Sequence, residues 1–146
     1  MQLPTMQLSF KNSMPANERM HIKDSIQLAK VFRDSFECDT IELNEQFKVI
    51  YLNQANHVLG IIHLSKGAIS GCITEIRHII SSALLSNATQ FAVCHNHPSG
   101  NLQPSRPDME LTQKITNATK LMGLTCMDHI ILTAESYYSF ADNGIL

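Results

Sequence analysis

The chain has 146 residues, enough for one hydrophobic core and too few for two comfortable ones. Its apolar fraction of 44% and charged fraction of 16% are ordinary for a globular protein, and no apolar run approaches the roughly 18 residues of a membrane span. A net charge of −2, with Lys and Arg scattered, argues against a dedicated nucleic-acid module, which would carry a basic field to meet phosphate.

Residues 1–20 carry Pro4 and Pro15 with few periodic apolar positions and read as an N-terminal arm. No cationic patch there precedes an apolar stretch, so a secretory signal is not expected and a cytoplasmic location is. Residues 21–146 read as one domain. A helix is predicted from Ser25, where Ile26, Ala29, Phe32 and Phe36 recur near a period of 3.6. Strands at 47–52 and 57–64, joined by the turn-prone 53–56, predict an antiparallel hairpin, and Lys66-Gly67 opens a loop. A helix follows over 72–86, with Ile73, Ile76, Ile80, Ala83 and Leu84 on its apolar face. The uninterrupted apolar run 90–94 suits a strand covered on both faces. After a loop at 95–104, a helix is expected over 108–122 with Leu111, Ile115, Ala118 and Met122 inward, then strands at 124–133 and 137–140. This order predicts the α/β (α+β) class, a mixed sheet with helices packed on its faces.

Cys38, Cys72, Cys94 and Cys126 are far apart, with no CxxC pair, which excludes a Cys-rich zinc knuckle and argues against a disulfide framework. The chemistry gathers elsewhere, in the segment from Cys94 to Asp108. Residues two apart on an extended backbone point the same way, so His95 and His97 present both imidazoles to one point. Alone, such a pair is weak evidence for a metal. Asp108 is a candidate third ligand, and two imidazoles with one carboxylate leave a fourth tetrahedral position for water, the pattern of a catalytic zinc site. Ser105 and Asp108 also read as a helix start: Ser at the N-cap, Pro107 in the first turn and an acid at the third position. Cap and ligand readings compete for the Asp108 carboxylate. No HExxH helix and no deaminase-type Pro-Cys-x-x-Cys is present.

His-x-His-Pro, then Ser eight residues after the second His and Asp three after that, resembles the JAMM (MPN-type) metalloproteases. The fuller string His95-Asn-His-Pro-Ser-Gly100 with Pro104-Ser105 and Asp108 resembles the RadC branch. So do Glu45-Gln-Phe-Lys-Val-Ile-Tyr-Leu-Asn53, Ser65-Lys-Gly67, Glu75-Ile-Arg77, Asp128-His-Ile-Ile131 and Tyr138-Ser-Phe140, a likeness covering roughly residues 25 to 146. The resemblance implies the JAMM/MPN fold, which is cytidine-deaminase-like, and one zinc ion per chain held by His95, His97 and Asp108. It implies that Ser105 hydrogen-bonds the oxyanion of the attacked carbonyl and that Glu45 is the general base; Glu42, three residues earlier, is its rival. The Asp128-His129 pair also falls in the pattern, which leaves open whether His129 is a packed residue or one that orients a ligand or lines the cleft. Asn96 should face away from the ligands and tie down the loop, Cys94 should be core, and His21, His57, His63 and His78 should be surface or packed residues.

These roles describe a zinc-dependent hydrolase of peptide or isopeptide bonds, with a protein or peptide as substrate and no membrane partner. A zinc-binding module without turnover is the alternative, though such relatives typically lose ligands. A third reading is an accessory role in DNA repair or processing. Full-length RadC proteins resemble a DNA-associated helical domain joined to this one, and 146 residues are expected to leave no room for it. The loop between Ser65 and Thr74 is short, so no insert that grips a ubiquitin-like tail is expected.

Overall fold

A computed structural model describes residues 9–37, 40–66 and 76–146. Helix α1 (Ser25–Asp34) is followed by strands β1 (Gln46–Leu52) and β2 (Val58–Lys66), helix α2 (Ile76–Leu85), strand β3 (Gln90–Asn96), helix α3 (Arg106–Lys120) and strands β4 (Thr125–Leu132) and β5 (Tyr137–Ser139). The strands form one mixed sheet in the order β2-β1-β3-β4-β5. β3 and β4 run parallel, which requires a crossover, and α3 supplies it; the other neighbours are antiparallel. The class is the predicted one, α/β with helices on the faces of a mixed sheet.

Strand periodicity sorts the core into two layers. Ile50, Leu52, Ala92, Cys94, Ile130 and Leu132 face α1, packing on Leu28, Ala29 and Phe32. Phe47, Val49, Tyr51, Phe91 and Val93 face the other way, onto Ile79 and Ala83 of α2 and Ile115 of α3. β3 is central and buried on both faces, as its apolar run implied, and it extends through Asn96. His95 therefore continues the row 91, 93 toward α3, while Asn96 continues the row 92, 94 on the α1 side.

Several helix details differ from the periodic reading. In α1, Ile26 is 66% exposed, Leu28 takes the inward place, and the helix ends before Phe36. In α2, Ile79 and Ala83 are buried while Leu84 is exposed; Ile73 and the expected helix start at 72 lie outside the described residues. α3 begins at Arg106, two residues early, and Met122 lies beyond its end, 46% exposed. Its buried face holds Asp108, Thr112, Ile115 and Thr119. Near the N-terminus a 3-10 turn at Ala16–Glu18 leads to backbone bonds from Val58 to Met20 and from Ile22 to Asn56, which lay residues 20–22 along the start of β2. Among the described residues no helix is long and apolar enough to cross a membrane.

Candidate metal centre

Two rows of alternating residues meet at the end of β3. The antiparallel register pairs Phe47 with His95, and continuing it two places outward sets Glu45 opposite His97. On the far side, α3 begins just after the loop that follows β3, so its first turn returns Asp108 to the strand end. A turn closed by the Gly100 N–H on the His97 carbonyl, with Gly100 at φ 79°, bends the chain away after His97. That left-handed backbone suits glycine.

One ligand atom each from His95, His97 and Asp108 lies within 4.8 Å of the others, so the group can hold a metal ion. The two Nε2 atoms are 3.0 Å apart, His95 Nε2 is 3.2 Å from Asp108 Oδ1, and His97 Nε2 is 3.5 Å from Oδ2. A tetrahedral zinc with bonds of about 2.0–2.1 Å has ligand–ligand edges of about 3.3 Å. These donors fit it.

Each imidazole is also set in the tautomer that a metal requires. His97 Nδ1 lies 2.6 Å from the Asn101 carbonyl, an acceptor only, so Nδ1 carries the proton and Nε2 offers its lone pair. His95 is fixed at one remove. The Thr112 hydroxyl donates to the Asp108 carbonyl at 2.7 Å and so must accept from His129 Nδ1 at 2.6 Å. His129 Nε2 is then an acceptor, and His95 Nδ1, 2.8 Å away, donates to it. Complete burial drives the His129 imidazole well below its ordinary pKa and keeps it neutral. Phe140 stacks on His129 with ring centroids 4.6 Å apart, and Phe47 stacks on His95 at 6.3 Å. His129 thus orients a candidate ligand, while Thr112 and Phe140 are members of the centre that periodicity did not single out.

Asp108 is both cap and candidate ligand, which resolves the expected competition between those roles. Its Oδ2 accepts from the Ser105 N–H at 2.7 Å and the Ser105 hydroxyl at 2.6 Å, and Ser105 Oγ accepts the Asp108 N–H at 3.2 Å. This reciprocal box starts α3. It leaves Oδ1 turned to His95. Burial would raise the Asp108 carboxyl, but the adjacent His95 and His97 imidazoles and the bonds from Ser105 outweigh it and hold the group far below the carboxylate range. The same carboxylate raises the His97 imidazole against its burial.

Glu45, His95, His97, Ser105, Pro107, Asp108 and Leu111 line an open cleft of about 260 Å³. Burial raises the Glu45 carboxyl, and His95 and His97 draw it partly back. Glu42 is exposed on the preceding turn and does not line the cleft. Cys94 faces the α1 layer, where burial raises its thiol well above the ordinary value, which leaves it inert beside the histidines. His21 and His57 meet each other at the hairpin edge, rings 5.1 Å apart, and His63 and His78 are exposed on β2 and α2. None of these four lines the cleft.

The family model for the RadC-like JAB domain matches residues 22–145. A UPF0758 protein of Flavobacterium johnsoniae is 37% identical over 145 residues, which are 94% of this chain and 63% of the relative. UPF0758 protein YfjY of Escherichia coli K12 is 37% identical over 102 residues, covering 70% of this chain and 64% of its own length. A UPF0758 protein of Salinibacter ruber is likewise 37% identical over 102 residues, 70% of this chain and 44% of the relative. The chain thus spans less than two thirds of the length of each of these relatives.

Proposed function

The chain belongs to the RadC-like JAB domain family, within the JAMM/MPN superfamily, and from that premise we propose that it is a zinc-dependent hydrolase of peptide or isopeptide bonds. The observation that carries the proposal is the convergence of His95, His97 and Asp108 with Glu45 in one open cleft. His95 Nε2, His97 Nε2 and Asp108 Oδ1 would hold the ion. When bound, zinc supplies the Lewis acidity that makes water a nucleophile near neutral pH and polarises a carbonyl.

The chain's own residues do the rest. Glu45, its carboxyl raised above its ordinary value by burial, takes the proton of the attacking water and returns it to the leaving amine. The Ser105 hydroxyl, which donates to Asp108 Oδ2, turns about its Cβ–Oγ bond to meet the oxyanion of the attacked carbonyl. Pro107 and Leu111 form the apolar wall against which a substrate backbone lies. A protein or peptide substrate and a cytoplasmic setting complete the reading; the unpaired thiols of Cys94 and Cys126 suit a reducing compartment.

Purified protein is expected to carry about one zinc per chain, measured by plasma emission. His97→Ala should lose it and Glu45→Ala should keep it. A screen of fluorogenic peptides and isopeptide conjugates, with Glu45→Ala as the blank, tests turnover. Full zinc retention by a His95→Ala/His97→Ala double variant would sink the metal assignment, and equal rates for wild type and Glu45→Ala would sink the catalytic one.

A further inference from the structure

We infer that Asn96 is a positioning residue that holds the Glu45 turn over the metal centre; its consequence for turnover rests on the hydrolase reading, its geometry does not. Asn96 stands between the two histidines, and strand alternation sends its fully buried side chain to the opposite face. There it reaches across to a different loop. Its Oδ1 accepts the Gln46 N–H at 2.7 Å, and its Nδ2 donates to the Ile41 carbonyl at 2.6 Å and the Asn44 carbonyl at 2.9 Å. Asn44 and Gln46 flank Glu45. Three hydrogen bonds from one side chain therefore fix the backbone that carries the candidate base.

Asparagine alone suits this place. The turn offers one N–H that needs an acceptor and two carbonyls that need donors, and the Asn amide carries one oxygen and two N–H hydrogens. Reversing the amide would set oxygen against two carbonyl oxygens, so its orientation is settled by its partners. Aspartate has no donor, serine has one hydrogen, and glutamine is a methylene too long for a fully buried site. The further hydrogen bonds described in the turn are the Leu43 N–H to the Thr40 carbonyl, the Gln46 side chain to Thr40 and Asn44, and the Thr40 N–H and hydroxyl to the Glu37 carbonyl. None of these hydrogen bonds reaches β3, so among the described residues the Asn96 side chain is what ties the turn ahead of β1 to the end of β3.

The tripeptide His95-Asn96-His97 thus faces two ways. One face presents the imidazoles to the metal, and the other grips the segment that brings a carboxylate to the same cleft. A single strand end then sets the distance between the site of water activation and the proton acceptor. Proton transfer needs that distance held to a fraction of an ångström.

The test compares wild type, Asn96→Ala, the isosteric Asn96→Asp and Glu45→Gln. It reads amide hydrogen exchange at Leu43 and Gln46, zinc affinity by chelator competition, and kcat and KM on the conjugate or peptide cleaved in the screen. Asn96→Ala should speed Gln46 exchange by about tenfold or more, leave zinc affinity within roughly threefold, and lower kcat by about 100-fold with little change in KM. Asn96→Asp keeps the acceptor for Gln46 and loses both donors. It should protect the Gln46 amide, expose Leu43 and lower kcat less. Glu45→Gln should lose turnover with both amides still protected. A Gln46 amide as protected in Asn96→Ala as in wild type overturns the clamp, as does a zinc affinity that falls in step with kcat. If Asn96→Ala does not fold, unchanged Leu43 exchange in Asn96→Asp overturns it instead. Exchange and zinc binding need no substrate, so a wild type that turns nothing over counts against the hydrolase reading alone.

Discussion

A histidine offers one nitrogen to a metal only when the other holds the proton, and Thr112 settles this for His95 through His129. The hydroxyl has one hydrogen, spent on the Asp108 carbonyl, and so compels His129 to donate to it and to accept from His95. Thr112→Val keeps the shape and removes that instruction, leaving a buried ring nitrogen without its partner. Zinc affinity should fall about 10-fold or more, measured by chelator competition, while Thr112→Ser should stay near wild type. Equal affinity in Thr112→Val and wild type would show that His95 finds its tautomer unaided. The histidines and Asp108 were legible as candidate ligands because the whole string from His95 to Asp108 resembles a known family, the His pair alone being weak evidence. Thr112 was not, because a threonine in a helix carries no mark of the imidazole packed against it.

Helix α3 shows why polar residues escape a periodic reading. Thr112 and Thr119 occupy its buried face because their hydroxyls donate back to the carbonyls of Asp108 and Ile115, so neither is left unsatisfied. An apolar count passes over both and assigns the stripe to Met122, which falls beyond the helix end. The cap of α3, by contrast, was legible from Ser105, Pro107 and Asp108, since capping is local chemistry, although the apolar period set the helix start two residues late. Strand β4 has its own buried polar anchor. Asp128 accepts from the Ser139 hydroxyl at 2.6 Å, the Ala141 N–H at 3.0 Å and the His129 N–H at 2.8 Å, fastening the last turn of the chain to the sheet. Burial outweighs these bonds and raises its carboxyl above the ordinary value. The folded state therefore binds this proton more tightly than the unfolded chain. Its contribution is present below the unfolded value and is lost as pH rises through the raised one. Asp128→Asn keeps an acceptor for the two N–H groups and never ionises. In urea titrations across the acid range, the stability difference between variant and wild type should shift in the variant's favour as pH rises, then level off. A difference independent of pH would mean that Asp128 titrates alike in both states.

At the scale of the whole molecule, the centre is assembled from distant stretches: the turn before β1, the end of β3, the start of α3 and the middle of β4. Glu45 was placed in it at the sequence level by the family resemblance alone, and the structure supplies the geometric reason, a shared parity. Glu45 and Phe47 alternate as His95 and His97 do, and antiparallel pairing of Phe47 with His95 brings both pairs to one face. The sequence could not say that Asn96 and Gln46, the residues of opposite parity, would bind each other behind that face, because a loop's hydrogen bonds depend on where the chain returns. Since the three candidate ligands converge only once the end of β3 and the first turn of α3 are in place, a metal that needs them together binds the folded chain in preference and stabilises it by mass action. At free zinc of about 100 times Kd the gain is about 2.7 kcal/mol. For a domain of this size each kcal/mol moves the melting temperature by roughly 2–4 °C, so zinc should raise it by roughly 5–10 °C over chelator-treated protein. Scanning calorimetry of both forms reads the shift, and Asp108→Asn and His97→Ala should show little of it. A zinc-dependent rise of the same size in both variants would place the bound metal elsewhere on the surface. Its absence in wild type would mean that His95, His97 and Asp108 come together for packing alone.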